Sequence, residues 1–198
     1  MKLRRFLLTA CLAALPLVAA APAMAQGTIR IGMTAADIPL TNGQPDQGFE
    51  GNRFTGIPLF DSLTMWDLSS ADRPSTVIPG LATEWRVDPN ARTRWSFTRR
   101  RGVRFHNGQP LTSADVAFSA MSIWKPLQNL GRVVFRDLEA VDTPDPLTAV
   151  FRFAQPTPFQ LVQNALPSLT AVVPRHLYEG TDIAANPANT RLVGTGPF

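Results

Sequence analysis

Five large apolar side chains separated by even numbers of residues, Trp85, Trp95, Phe97, Val103 and Phe105, set the strongest constraint on how this chain folds. Trp95 and Phe97 alternate with Ser96 and Thr98, the two-residue period of a strand with one buried face. Gly102 interrupts the alternation and Val103 and Phe105 resume it, so a hairpin of the two runs is the simplest reading. Burying each of these side chains is worth about 1.5–3 kcal/mol, which is reason to expect them in one core. Asn107, Gly108, Gln109 and Pro110 mark the next turn. Thr112 then stands at the N-cap position of a helix with Asp115 three residues on, a capping-box spacing. Val116, Phe118 and Met121 supply the apolar side of that helix, and Trp124 is expected to end it ahead of Pro126.

The other elements are read in the same way. Residues 27–33 alternate Ile29 and Ile31 against Thr28 and Arg30, a first strand. Residues 35–56 are rich in Pro, Gly, Asn, Gln and Asp and read as a loop at the C-terminal end of that strand, where open α/β proteins place ligands. Residues 54–68 suit a helix continuing into a strand. Asp142 to Pro146 is turn chemistry, residues 148–153 form a strand with Val150 and one of Phe151 or Phe153 buried, and Phe159, Val162 and Leu166 have helical spacing. The fold class is mixed α/β, without solenoid repeats or low-complexity tracts.

The first residues read as an address. Lys2, Arg4 and Arg5 precede an apolar run over residues 6–21, and Ala23, Met24 and Ala25 supply a cleavage site. A cleavable signal peptide over residues 1–25 follows, with export to the periplasm and a mature chain starting at Gln26. The run is shorter than the ~20 residues a membrane-spanning helix needs and contains Pro16. Losing Lys2, Arg4 and Arg5 leaves 16 basic residues of 19 against 15 acidic ones, so net charge falls from +4 to +1. A balanced surface gives no electrostatic reason to expect nucleic acid as partner. Cys11, the only cysteine, lies in the leader, so the mature chain has no disulfide, thiolate nucleophile or cysteine metal site.

Residues with chemical potential have plain readings. His106 beside Asn107, and His176 beside Arg175, lack second ligands at useful spacing and are expected to be structural or at the surface. Arg92, Arg94, Arg99, Arg100, Arg101 and Arg104 read as a solvated face or sheet edge. Gly194, Thr195 and Gly196 lack the Lys and hydroxyl residue of a phosphate loop. Asp142 and Asp145 lie among prolines, where solvation is expected. No motif organises Ser, His and Asp for acyl transfer, and neither cofactor nor metal is called for.

Over residues 80–121 the chain resembles the family 5 extracellular solute-binding proteins, receptors for dipeptides, oligopeptides, nickel chelates and opines. The resemblance rests on Leu81, Ala82, Trp85, Trp95 and Phe97, on Arg101, Gly102, Val103, Phe105, His106, Gly108 and Pro110, and on Thr112, Ala114, Asp115 and Val116. Val173 to His176 and Gly194 to Phe198 resemble two further elements of the family. It implies a type II periplasmic binding protein-like fold. Residues 26–68, completed by 193–198, would begin the main sheet of the first lobe, 69–192 would form its additional subdomain, and the second lobe would be missing from this chain. It also implies a monomeric, non-enzymatic receptor that passes peptides or similar small solutes to an ABC permease and its ATPase. Within residues 41–52, Gln44, Gln47 and Gly48 would offer polar contacts to ligand, Phe49 an apolar wall and Glu50 a charge partner; a surface loop without ligand contact is the alternative. A nonfunctional or split-gene fragment and an exported enzyme are the other readings left open.

Overall fold

The structure, a computed structural model, describes residues 57–189, 191 and 193–197. The leader expected at 1–25, the strand expected at 27–33 and the loop expected at 35–56 lie outside the described residues. In chain order the elements are α1 (Ile57–Leu59), β1 (Thr64–Trp66), β2 (Val77–Pro79), β3 (Ala82–Val87), β4 (Arg94–Arg99), α2 (Ser113–Phe118), a π-helical turn (Ser119–Trp124), α3 (Lys125–Leu127), α4 (Asn129–Val134), β5 (Leu138–Asp145), β6 (Thr148–Phe153), α5 (Phe159–Leu169) and α6 (Arg175–Tyr178). β1 and β2 form a two-stranded ribbon, and an antiparallel four-stranded sheet has the order β3-β4-β6-β5.

The aromatic alternation is the core of this sheet. Trp95 stands opposite Phe151 and Phe97 opposite Ala149, all on one face, and Trp95, Phe97 and Phe151 are at most 1% exposed. Phe97 meets Phe151 edge-on at 5.1 Å, and Trp95 meets Phe153 at 6.2 Å. Trp124 lies flat on Phe151 at 6.4 Å and against Phe135 at 5.9 Å, so the helical layer closes the face. Such offset and edge-to-face pairs add about 0.5–1.5 kcal/mol each beyond area burial. Trp85 and Val87 share the face but sit on edge strand β3, which leaves them half-buried.

Three local expectations are corrected here. β4 does not pair with residues 103–105: both its edges are already taken, by β3 through the hairpin turn at Asp88 and by β6. Gly102, at φ +75°, turns the chain off the sheet, and a single bridge from Arg104 to Pro110 closes a small loop that still buries Phe105. In β6 the buried residues are Ala149, Phe151 and Phe153, while Val150 faces outward, because the ring of Trp124 fixes which face is inner. β5 extends to Asp145, so Asp142 is a strand residue paired with Arg152 at 2.7 Å, and only the residues after it turn.

The helix after the turn begins as its sequence demands. The buried Asp115 carboxylate accepts from the Thr112 N–H at 2.7 Å and hydroxyl at 2.9 Å, and its other oxygen accepts the Arg175 N–H at 2.9 Å. It therefore both caps α2 and anchors the start of α6. Trp124 does not end the helix. The backbone widens into a π turn, in which the Lys125 N–H reaches Ala120, and Pro126 follows inside α3. Widening relieves the clash that proline imposes on the preceding turn of an α-helix. It also keeps Trp124 on the side that faces Ala171, whose carbonyl accepts the indole N–H at 2.9 Å. Ser119 completes the seam by accepting the Val173 N–H at 3.0 Å. Val116 is buried as expected, whereas Phe118 and Met121 are half-buried. In α5, Val162 and Leu166 are buried.

Replacing Trp95 or Phe151 with alanine is expected to lower unfolding free energy by about 3–5 kcal/mol, and Trp85→Ala by clearly less, in urea titrations of the same chain. Asp115→Ala, which strands three donors, is expected to cost about 1–3 kcal/mol or more.

Candidate functional site

The five residues expected to meet ligand, Gln44, Gln47, Gly48, Phe49 and Glu50, lie outside the described residues. Within the described residues, 193–197 return onto α1 and the loop at His106.

Two glycines make this junction possible. A Cβ on Gly194 would fall 1.8 Å from the Leu59 carbonyl oxygen and one on Gly196 2.3 Å from that of Pro58, distances no side chain tolerates. The Gly196 N–H donates to the Leu59 carbonyl at 2.9 Å. Thr195 turns the other way and donates its hydroxyl to Asp61 Oδ2 at 2.9 Å. The Asp61 carbonyl accepts the Val172 N–H at 3.1 Å, and Ser62 bridges Ala171, so the segment after α1 meets both stretches.

His106 holds the returning segment at two points. Its N–H donates to the Gly194 carbonyl at 2.9 Å, its Nδ1 accepts the Gly194 N–H at 3.3 Å, and its Nε2 lies 2.8 Å from the Gly196 carbonyl oxygen. An accepting Nδ1 and a donating Nε2 define the neutral ring with its proton on Nε2, a tautomer assigned from this network. The structural role expected of His106 therefore has named partners. His176 accepts from Asn107 Nδ2 at 2.9 Å and packs edge-on against Phe105.

Burial pushes the Asp61 carboxyl above the ordinary carboxylate range; the Thr195 hydroxyl that donates to it and the charge of Arg100 oppose this without cancelling it. The six arginines do not act as one patch. Arg99 is buried on the inner face, its guanidinium donating to the Pro146 and Arg100 carbonyls, which corrects the solvated reading for that residue. Arg104 donates to the Gly108 carbonyl at 2.8 Å, and Arg92 occupies a hairpin turn at φ +50°. Two surface depressions, of about 790 Å³ beside Val87, Arg92 and Pro158 and about 670 Å³ beside Arg101 and Leu147, are open to solvent. Among the described residues no group of three His, Cys, Asp or Glu could hold a metal, and no helix is long and apolar enough to cross a membrane. Asp61 was not singled out in the sequence, and Thr195 only as part of a glycine pair unlike a phosphate loop: the two lie 134 positions apart, and no local pattern joins them.

Comparison with known proteins adds to this geometry. The family described as bacterial extracellular solute-binding proteins, family 5 Middle, matches residues 76–198. A protein of Brucella ovis, named for peptide binding in an ABC transporter, is 30% identical over 100% of this chain, which spans 38% of that relative's length. Among solved structures, NikZ of Campylobacter jejuni, in complex with Ni(L-His), is 25% identical with a TM-score of 0.59, covering 70% of this chain and 26% of its own. The oligopeptide-binding protein AppA of Bacillus subtilis, in complex with a nonapeptide, is 22% identical with a TM-score of 0.62, over 80% of this chain and 31% of its own. The fold is that of part of a type II periplasmic binding protein.

Gly194→Ala is expected to destabilise the chain by well over 1 kcal/mol, since backbone rather than a flexible side chain must move. For Asp61 the sign is worked from its raised value in the fold. The folded state favours the protonated acid, so stability is lost as pH rises through the raised value, and Asp61→Asn is expected to be the more stable form at pH 7. Thermal melts should show that advantage shrinking toward acid; an advantage that grows toward acid would reverse the assignment.

Proposed function

Because this chain belongs to the bacterial extracellular solute-binding proteins of family 5, we propose that it captures a peptide or similar small solute outside the inner membrane and delivers it to an ABC permease. The observation that carries the reading is the family match over residues 76–198, a span that includes the buried frame of Trp95, Phe97, Phe105 and Asp115. Family members are binding proteins rather than enzymes, and capture requires no bond to break. The peptide-binding name of the Brucella ovis relative supports a peptide as solute.

On this reading residues 1–25 direct export and are removed after Ala25, and the mature receptor works in the periplasm as a monomer without cofactor. Residues 26–68 and 193–198 contribute to the main sheet of one lobe, with 69–192 as its additional subdomain. Support comes from Gly194 and Gly196, which lie directly on the α1 backbone. Solute binds between lobes, and its contacts stabilise the closed form that the permease, and through it the ATPase, engages. Gln44, Gln47, Gly48, Phe49 and Glu50 contribute to the cleft, with Phe49 as the apolar wall.

The full-length protein, screened by thermal shift against peptides, opines, sugars and metal chelates, should respond to peptides. Phe49→Ala should then weaken affinity by about tenfold, the effect of unburying one ring. Gln47→Ala should weaken it less. Unchanged affinity in both variants would remove the loop from the site, and a protein stabilised by none of these solutes would contradict the reading.

A further inference from the structure

We propose that the outer face of the four-stranded sheet is a docking surface for a carboxylate-bearing, extended segment of a partner protein, gripped between Arg94 and Arg152. Strand alternation turns Arg94 and Ser96 of β4, and Val150 and Arg152 of β6, away from the aromatic core. The register sets Arg94 directly opposite Arg152 and Ser96 opposite Val150. Like charges in directly opposed positions destabilise a sheet, so the fold itself does not account for this pair.

The charges around it are already committed. Asp142 accepts from Arg152 Nε at 2.7 Å, and Glu84 lies 3.5 Å from Arg86. Asp88 feels the charge of Arg94, but its Oδ1 accepts the amides of Asn90 and Ala91, and it forms no ion pair with Arg94. Among the described residues the Arg94 side chain has neither ion pair nor hydrogen bond, and only Nε of Arg152 is engaged. Arg94 also borders a depression of about 600 Å³ shared with Asp142, Thr143, Pro144 and Val150.

Among the described residues, one unpaired cation facing a half-engaged one suits a planar oxyanion that two guanidinium forks can share. Glu84 and Asp142 on the same face would repel a dianion, which favours the singly charged carboxylate of a Glu or Asp side chain over phosphate. The surface lies in the additional subdomain, and the inference does not rest on the solute reading above.

The test uses the full-length protein, saturated beforehand with any solute that the thermal-shift screen finds so that the cleft is silent, and three probes: a short peptide alternating glutamate with serine, its glutamine counterpart, and inorganic phosphate. Calorimetry should detect the glutamate peptide in preference to the other two, and Arg94→Gln should weaken it on the order of tenfold. Arg94→Glu, which sets a carboxylate opposite Arg152, should abolish peptide binding while raising Tm by about 1–4 °C, so lost binding is separated from lost fold. Equal binding of the glutamine peptide or of phosphate, unchanged affinity in Arg94→Gln, or a fall in Tm in Arg94→Glu would each overturn the proposal.

Discussion

The flat contact between Trp124 and Phe151 decides more of this structure than any other interaction, because it determines which face of the sheet is inner. Once the indole covers Phe151, the two-residue period of β6 places Ala149 and Phe153 inside and Val150 and Arg152 outside. The register with β4 then aligns Trp95 and Phe97 on the same side. Trp124 reaches that position because the helix widens at Ser119–Trp124, and the widening in turn admits Pro126 one turn early. The same indole donates to Ala171, so the element that closes the sheet also locates the segment leading to α6.

A second consequence is the division of labour among polar groups. Asp115, Ser119 and Trp124 project from one helix and tie Arg175, Val173 and Ala171 in antiparallel order. The three buried donors of this seam, the Trp124 indole and the Val173 and Arg175 amides, each have an acceptor, which lets a low-dielectric seam stabilise the fold rather than weaken it. Gly194 and Gly196 serve the opposite end, where close backbone approach replaces side-chain contact. Trp95, Phe97, Phe105 and Asp115, which are among the residues that carry the family resemblance, are thus buried scaffold.

The elements governed by local rules were legible in the sequence. Trp95 and Phe97 announced a buried strand face, Thr112 and Asp115 a helix start, and residues 54–68 a helix leading into a strand. What depended on distant partners was not. The turn residues after Arg99 look like a hairpin, yet β4 finds its second neighbour at residues 148–153, and nothing near Gly102 encodes that choice. Val150 and Phe151 are both good strand residues, so only Trp124, more than twenty positions earlier, separates inner from outer. Asp61 and Thr195 meet across 134 positions, a contact that no local pattern announces. The expected ligand residues at 44–50 rest on family resemblance rather than on a local rule, since amides and glycines in a polar loop have the same composition whether or not they touch a solute.

Native-state hydrogen exchange at the amides of Val173 and Arg175 tests this account most directly, because both donate to side chains of the capped helix rather than to a strand or helix ladder. If the aromatic core and the helical seam form one cooperative frame, these amides exchange only through the opening that releases the amides of β4 and β6, with the same free energy and the same denaturant dependence. Exchange orders of magnitude faster than in those strands would show that the 171–175 segment opens independently, and the single-frame account would be wrong.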